Sequence, residues 1–231
     1  MAIVWDDSGN HLYETGIDHM VLYLPDANGD YTDGVAWNGI TAFNETPSGA
    51  DSNPIFADNI KYLDLRSAEE FGATLECLFT PAEFAPCDGI AEVAPGIFVY
   101  QQSRKAFGLS YRTLIGNEIQ HNEYGYKLHL LYNATASPSE KSYNTVNDSP
   151  ETSQLSYELT TTPIAAAGFK NTALITVDST KVAKAKMTAL ENILYGVGEG
   201  QNVKARLPKP SEVFTTLGLT QGQDGVWVPT T

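Results

Sequence analysis

The stretch Phe71-Gly72-Ala73-Thr74-Leu75-Glu76-Cys77-Leu78-Phe79 alternates with period two. Phe71, Ala73, Leu75, Cys77 and Phe79 fall on one face of an extended chain, and Thr74 and Glu76 fall on the other. That is the pattern of a strand with one buried face. Three further stretches repeat it. Phe107, Leu109, Tyr111 and Ile115 oppose Ser110 and Arg112; Tyr126, Leu128, Leu130 and Tyr132 oppose Lys127 and His129; Leu155, Tyr157 and Leu159 oppose Ser156, Glu158 and Thr160. Weaker strands are expected at 19–24, 60–66, 97–101 and 173–178.

Helical signals are few. Val182, Ala185, Leu190, Ile193 and Leu194 recur near a period of 3.6. Asp178, Ser179 and Thr180 offer N-caps, and Gly196 sits where a left-handed cap belongs, so one helix is predicted over 180–195. Short helical turns are predicted at 80–84, with Thr80 as N-cap, Pro81 at N1 and Glu83 at N3, and at 211–214. Residues 34–58 and 135–152 lack clear periodicity and read as long connections, which in compact domains tend to be functional. The expected architecture is mainly β, a sandwich or barrel-like domain with one flanking helix.

The 231 residues suffice for a sizeable core, and 42% are hydrophobic, as in globular chains. Acids outnumber bases 28 to 14, and the excess is local: residues 1–100 hold 17 acids against Lys61 and Arg66 alone. That balance argues against a DNA-binding footprint or attachment to anionic membranes. No stretch approaches the ~20 apolar residues of a membrane-spanning helix. Residues 1–10 carry no basic segment and turn acidic at Asp6, so a soluble product made in the cytosol is expected, with Cys77 and Cys87 as reduced thiols.

No catalytic constellation is visible, and the chain is not expected to be an enzyme. His11, His19, His121 and His129 form no metal-ligand spacing, and no nucleophile elbow occurs. The acidic run 26–33 matches an EF-hand loop at Asp26, Asn28 and Asp30. It fails at the required glycine, which is Tyr31, and at the bidentate glutamate, which is Trp37. A turn-rich acidic loop is the expected reading, with an irregular cation site as the alternative. No cofactor is expected. Three Trp and twelve Tyr leave a carbohydrate-binding β-sandwich as the alternative to a structural role.

Several strings go further. GVAWNGITAFNETPSGA at 34–50, ADNIKYLDLRSAEEFGATLECLFTPAEFAPCDG at 57–89 and RKAFGLSYRTLIGN at 104–117 are among them. So are YGYKLHLLYNATASPSEKSYNTVNDSPE at 124–151, SYELTTTP at 156–163, ITVDSTK at 175–181, ALENILYG at 189–196 and ARLPKPSEV at 205–213. In this order they resemble the major tail proteins of long, non-contractile-tailed bacteriophages. The resemblance assigns 1–217 to a tail tube domain and leaves 218–231 as a C-terminal tail without an assigned role.

It implies a virion structural protein, assembled in the cytoplasm of a bacterial host. Hexameric rings would stack head to tail into the tube that conducts phage DNA from capsid to host. Partners would be further copies of the chain and the tape-measure, tail-tip and terminator proteins. DNA would pass the lumen without specific binding, and nothing would insert in a membrane. On this likeness the loop 34–58 is expected to make the main inter-subunit contact, anchored by Trp37, Phe43 and Ile55, and deletion of 40–54 is expected to leave a folded monomer. Thr74, Glu76, Ser156, Glu158 and Thr160 are expected to face the lumen, where acidic side chains repel phosphate.

Overall fold

A computed structural model describes residues 3, 5–143, 145, 152–198, 203–222 and 225–230. The strands are β1 (Tyr13–Pro25), β2 (Tyr31–Ala36), β3 (Ile40–Glu45), β4 (Ser48–Gly49), β5 (Ser52–Ala57), β6 (Ile60–Arg66), β7 (Glu69–Glu70) and β8 (Gly72–Cys77). After a 3₁₀ turn at Ala82–Phe84 come β9 (Ala91–Ala94), β10 (Ile97–Val99), β11 (Phe107–Asn117), β12 (His121–Ala136), β13 (Leu155–Thr161) and β14 (Leu174–Asp178). Helices α1 (Lys184–Tyr195) and α2 (Pro210–Thr216) and a last hairpin, β15 (Leu219–Gln221) with β16 (Trp227–Pro229), complete the chain. The protein is mainly β, as its alternation predicts, and no described helix is long and apolar enough to cross a membrane.

The main antiparallel sheet runs β2-β1-β11-β12-β13-β8-β3, with β14 also on β12. Its outermost strands, β2 and β3, are two halves of one stretch, residues 31–45. β2 pairs with β1 and β3 with β8, so the sheet closes on itself through a single bent segment. At the bend Trp37 N–H donates to Met20 O and Leu78 N–H to Gly39 O, both at 2.8 Å. Gly39 takes φ +80°, where other residues are strained. Closure leaves few exposed edges for stray pairing.

Two cores follow from this closure. Inside lie Met20, Leu22, Leu75, Cys77, Leu109, Tyr111, Leu131 and Tyr157, with Phe84 and Cys87 of the 82–87 turn packed among them. Outside, α1 and α2 lay Met187, Leu190, Leu194 and Val213 over Val21, Tyr23, Leu128, Leu130 and Tyr132. β12 is therefore buried on both faces in its middle, and His129, expected on a polar face, is buried.

Several local expectations change. Helix α1 begins at Lys184 rather than 180, and no side chain caps it. Asp178 instead binds Thr180, and Ser179 Oγ accepts from Tyr126 N–H, so the candidate caps serve a preceding turn. Gly196 has φ +75° and ψ 170°, which is not a left-handed helical cap. The last carbonyls are met by tertiary partners: Tyr23 OH donates to Leu194 O and Arg206 N–H to Ile193 O. The turn at 82–84 is capped by Pro81 without a side-chain bond from Thr80.

Residues 34–58 are mostly strand, not loop. The pattern was hard to read because β3 is short and half-exposed, while β5 has no buried face to impose a period. Since β3 holds the closure, excision of 40–54 removes part of the barrel and is not the innocuous deletion expected. β15 packs on α2, and Phe214 meets Trp227 of β16 edge-on at 5.1 Å. Part of the 135–152 connection, residues 144 and 146–151, lies outside the described residues.

Candidate assembly surfaces

Between β3 and β8 the chain leaves the barrel as a hairpin arm. Its stem is the β4–β7 pair, Ser48 opposite Glu70 and Gly49 opposite Glu69. A Cβ on Gly49 would sit 2.2 Å from Ala68 O, so only glycine lets the two sides of the stem approach. The arm itself is β5 on β6, joined by Asp58-Asn59 with φ of +50° and +62°, a two-residue turn of the type that matches strand twist. Asp and Asn tolerate this region, which is the signal sequence reading missed.

Every residue of β5 and β6 except Ala57 is exposed. Ile55 lies opposite Leu63 and Ala57 opposite Ile60, while Leu65 lies opposite Asn53. Directly paired residues share a face, so the aliphatic side chains Ile55, Ile60, Leu63 and Leu65 form one side of the arm. Phe56 sits on the other side with the Lys61–Asp64 ion pair. A lone two-stranded hairpin is marginal in water, so this one calls for a partner.

At the opposite end of β8 is an apolar cleft of about 910 Å³, whose walls include Leu78, Phe79, Pro81, Phe98, Tyr100 and Tyr143. The β9–β10 hairpin forms one wall. The 141–143 segment forms another, fixed by Lys141 Nζ on Asp88 at 2.7 Å. Arg104 also donates to Asp88, at 3.2 Å. Lys105 lies on the cleft and makes no ion pair among the described residues.

The three expected contact residues divide. Trp37 is only 2% exposed and is bonded through Nε1 to Phe79 O at 2.9 Å. Phe43 packs on Tyr111 against the inner core, with ring centroids 4.4 Å apart and planes tilted by 38°. Both are spent inside the chain, because large aromatics near a sheet closure gain more from filling the barrel than from waiting on its surface. Ile55, on the arm, is exposed.

The five expected lumenal residues do come together. Ser156 pairs with Glu76 and Glu158 with Thr74, while Thr160 pairs with Gly72. All five lie on one face of β8 and β13, opposite Leu75 and Tyr157. Glu158 and Thr160 are exposed, while Thr74, Glu76 and Ser156 are half-buried. Gln154 Nε2 donates to Glu76 Oε2 at 2.7 Å, an addition the alternation could not signal. The helices stop short of this part of the sheet.

Cys77 and Cys87 are free thiols, both buried. Burial pushes them up to about 11 and about 12, far from a reactive thiolate. In the acidic loop, Asp26 accepts from the backbone of Asn28 and Asp30, Asp30 pairs with Lys209 and Asp33 with Lys204. Its carboxylates thus have protein partners, and among the described residues no group of three or more His, Cys, Asp or Glu side chains could hold a metal.

No protein-family model matches the chain, and no curated protein is a significant match. Among solved structures, the chain is similar to one from the baseplate of the anti-feeding prophage. Identity is 11% and the TM-score 0.35, over 79% of this chain and 100% of that one. It is also similar to a chain of the sheath–tube complex of an extracellular contractile injection system in the extended state. There identity is 12% and the TM-score 0.30, over 76% of this chain and 94% of that one.

Proposed function

We propose that the chain is a structural subunit of a phage-type tail tube, acting by assembly and not by catalysis. Six copies form a ring, and rings stack into a conduit for DNA. The observation that carries this reading is the arm: a hairpin whose apolar side chains, on both faces, are left exposed by the described residues of its own subunit. Such a surface is maintained in a soluble chain when another subunit covers it. The sequence resemblance to major tail proteins supports the same reading. So does the acidic face of β8 and β13, which suits a channel that must let phosphate slide past.

Electron microscopy of the concentrated protein tests it. Rings or tubes are expected, and they should vanish when residues 51–67 are replaced by a two-residue turn across Ala50 and Ala68, whose backbones already approach at 3.4 Å. A protein that stays monomeric at every concentration would refute the reading.

A second reading rests on the aromatic walls of the cleft, Phe79, Phe98, Tyr100 and Tyr143. Ring faces of this kind stack on sugars, as in a carbohydrate-binding module. Retention on polysaccharide matrices by the armless variant, with loss on Tyr100→Ala, would favour it.

A further inference from the structure

We propose that Asn38, in the bend that closes the barrel, is a site of self-modification: the Gly39 backbone nitrogen attacks its side-chain carbonyl, ammonia leaves, and aspartate or isoaspartate remains, with His19 as the base. The site lies within one subunit and does not depend on the assembly reading above.

Asn-Gly occurs twice in the chain, at 28–29 and 38–39, and all four residues are exposed. Glycine favours the attack because no Cβ crowds the nitrogen. Sequence and exposure rank the two pairs alike, and backbone bonding separates them. Gly29 N–H donates to Asp26 O at 3.1 Å, in a turn where the Asp26 side chain also accepts from Asn28 N–H at 2.8 Å and Asp30 N–H at 3.0 Å. Gly39 N–H has no hydrogen-bond partner among the described residues, and neither has the Asn38 side-chain amide. The bend is held on either side of that nitrogen, by Trp37 N–H on Met20 O and by Leu78 N–H on Gly39 O. The attacking atom is free to lose its proton while the chain around it stays fixed, which favours an intramolecular reaction.

The base comes from β1. Its pairing with β11 is irregular between Asp18 and Val21, and there His19 takes φ +51°, uncommon outside glycine. Asp18, His19, Asn38 and Tyr195 line one recess of about 540 Å³. Arg112 grips both Asp18 oxygens at 2.7 Å, and His19 Nδ1 donates to Asp18 Oδ1 at 3.0 Å. On its other side the imidazole lies near the Tyr195 ring, with centroids 6.0 Å apart. With Nδ1 committed to Asp18, Nε2 carries the lone pair. It takes the proton from Gly39 N–H as the bond from that nitrogen to Asn38 Cγ forms. It returns the proton to the side-chain nitrogen, which leaves as ammonia. Water then opens the five-membered imide at either carbonyl.

The two products differ in what they do to the fold. Aspartate keeps the backbone path. Isoaspartate lengthens it by one methylene, about 1.5 Å, between the bond at Trp37 and the bond at Gly39. β2 and β3 then cannot both hold their register on β1 and β8, so the modification loosens the closure irreversibly.

Ageing the full chain in mildly alkaline buffer, followed by peptide mapping and enzymatic methylation of isoaspartate, tests this. In the folded protein Asn38 should convert about fiftyfold faster than Asn28: about fivefold from the hydrogen bond that Gly29 N–H must give up and about tenfold from the base. In urea the two rates should be equal. His19→Asn, which tolerates the left-handed backbone, should cut the folded-state ratio to about fivefold. Aged protein carrying isoaspartate at 38 should unfold at lower urea than Asn38→Asp, which has the same charge without the added methylene. Equal rates in the folded protein, or a faster Asn28, would overturn the site. A ratio unmoved by His19→Asn would overturn the assignment of the base.

Discussion

The imidazole of His129 lies flat on the Tyr111 ring, with centroids 4.6 Å apart and planes 3° apart. Around this pair the interior of the barrel turns polar. Tyr111 OH donates to Glu45 at 2.8 Å, and Thr113 Oγ1 donates to Glu14 at 2.6 Å. With its proton so committed, Thr113 accepts from His129 Nε2, at 2.9 Å. Nδ1 then accepts from Thr176 Oγ1 at 3.2 Å, so the neutral Nε2–H tautomer satisfies every partner. Glu14 and Glu45 stand 3.9 and 4.0 Å from the ring, and Lys127 pairs with Glu14.

That neutral ring makes stability depend on pH. Burial lowers the His129 value below 6.5, outweighing the pull of Glu45 and Glu14. Below 6.5 the unfolded chain binds a proton that the folded one refuses. Stability is therefore full above that pH and falls as the pH drops toward the folded value, by at most about 1.4 kcal/mol per unit. Urea midpoints at neutral and mildly acidic pH should separate less for His129→Gln than for the unmodified protein. Equal separations would mean that His129 is not the group responsible.

Trp37→Ala should cost about 3–5 kcal/mol of folding stability, as for other buried aromatics. It removes a side chain from the barrel's closing bend, along with its bond to Phe79 O. Chemical denaturation of the isolated monomer reads this directly. A loss below ~1 kcal/mol, with assembly abolished, would return Trp37 to the subunit interface.

The two thiols should resist alkylation in the folded protein and take two labels once it is unfolded. Both are fully buried, and both stay protonated at neutral pH. Intact-mass analysis without reductant checks this; rapid labelling of the native protein would contradict the packing of β8 and the 82–87 turn.

Glu76→Lys combined with Glu158→Lys should leave tubes intact but slow DNA release from virions, with the defect relieved by salt. Phosphate attraction acts over a Debye length of ~8 Å at physiological ionic strength. The face is on the sheet surface, so the fold should tolerate the change, although Glu76 loses Gln154. Unchanged release from virions carrying normal mutant tubes would put this face on the outside of the tube.

Period-two alternation in residues 71–79, 107–115 and 155–160 was enough to establish strands, with Thr74 and Glu76 on the polar face of one and Ser156, Glu158 and Thr160 on the polar face of another; the pairing of β8 with β13 that joins the two faces came from the fold. β8 and β13 bury one side fully, and that burial writes itself into local sequence, whereas β11 is buried on both faces over residues 107–111. The helix at 184–195 was legible for the same reason.

Tertiary structure alone decided the rest. Residues 31–45 close the barrel because β1 and β8, distant in sequence, offer two edges to one bent strand. That draws Trp37 and Phe43 inward, although nothing nearby in sequence distinguishes them from surface anchors. The arm has no buried face and hence little period, so its first half, β5, read as part of a loop, while β6 was expected only as a weak strand. The last carbonyls of helix α1 are met by Tyr23 and Arg206, which only the packed fold brings within reach. Local pattern records what a strand buries; which strands meet, and what they leave uncovered, depends on contacts between residues far apart in the chain.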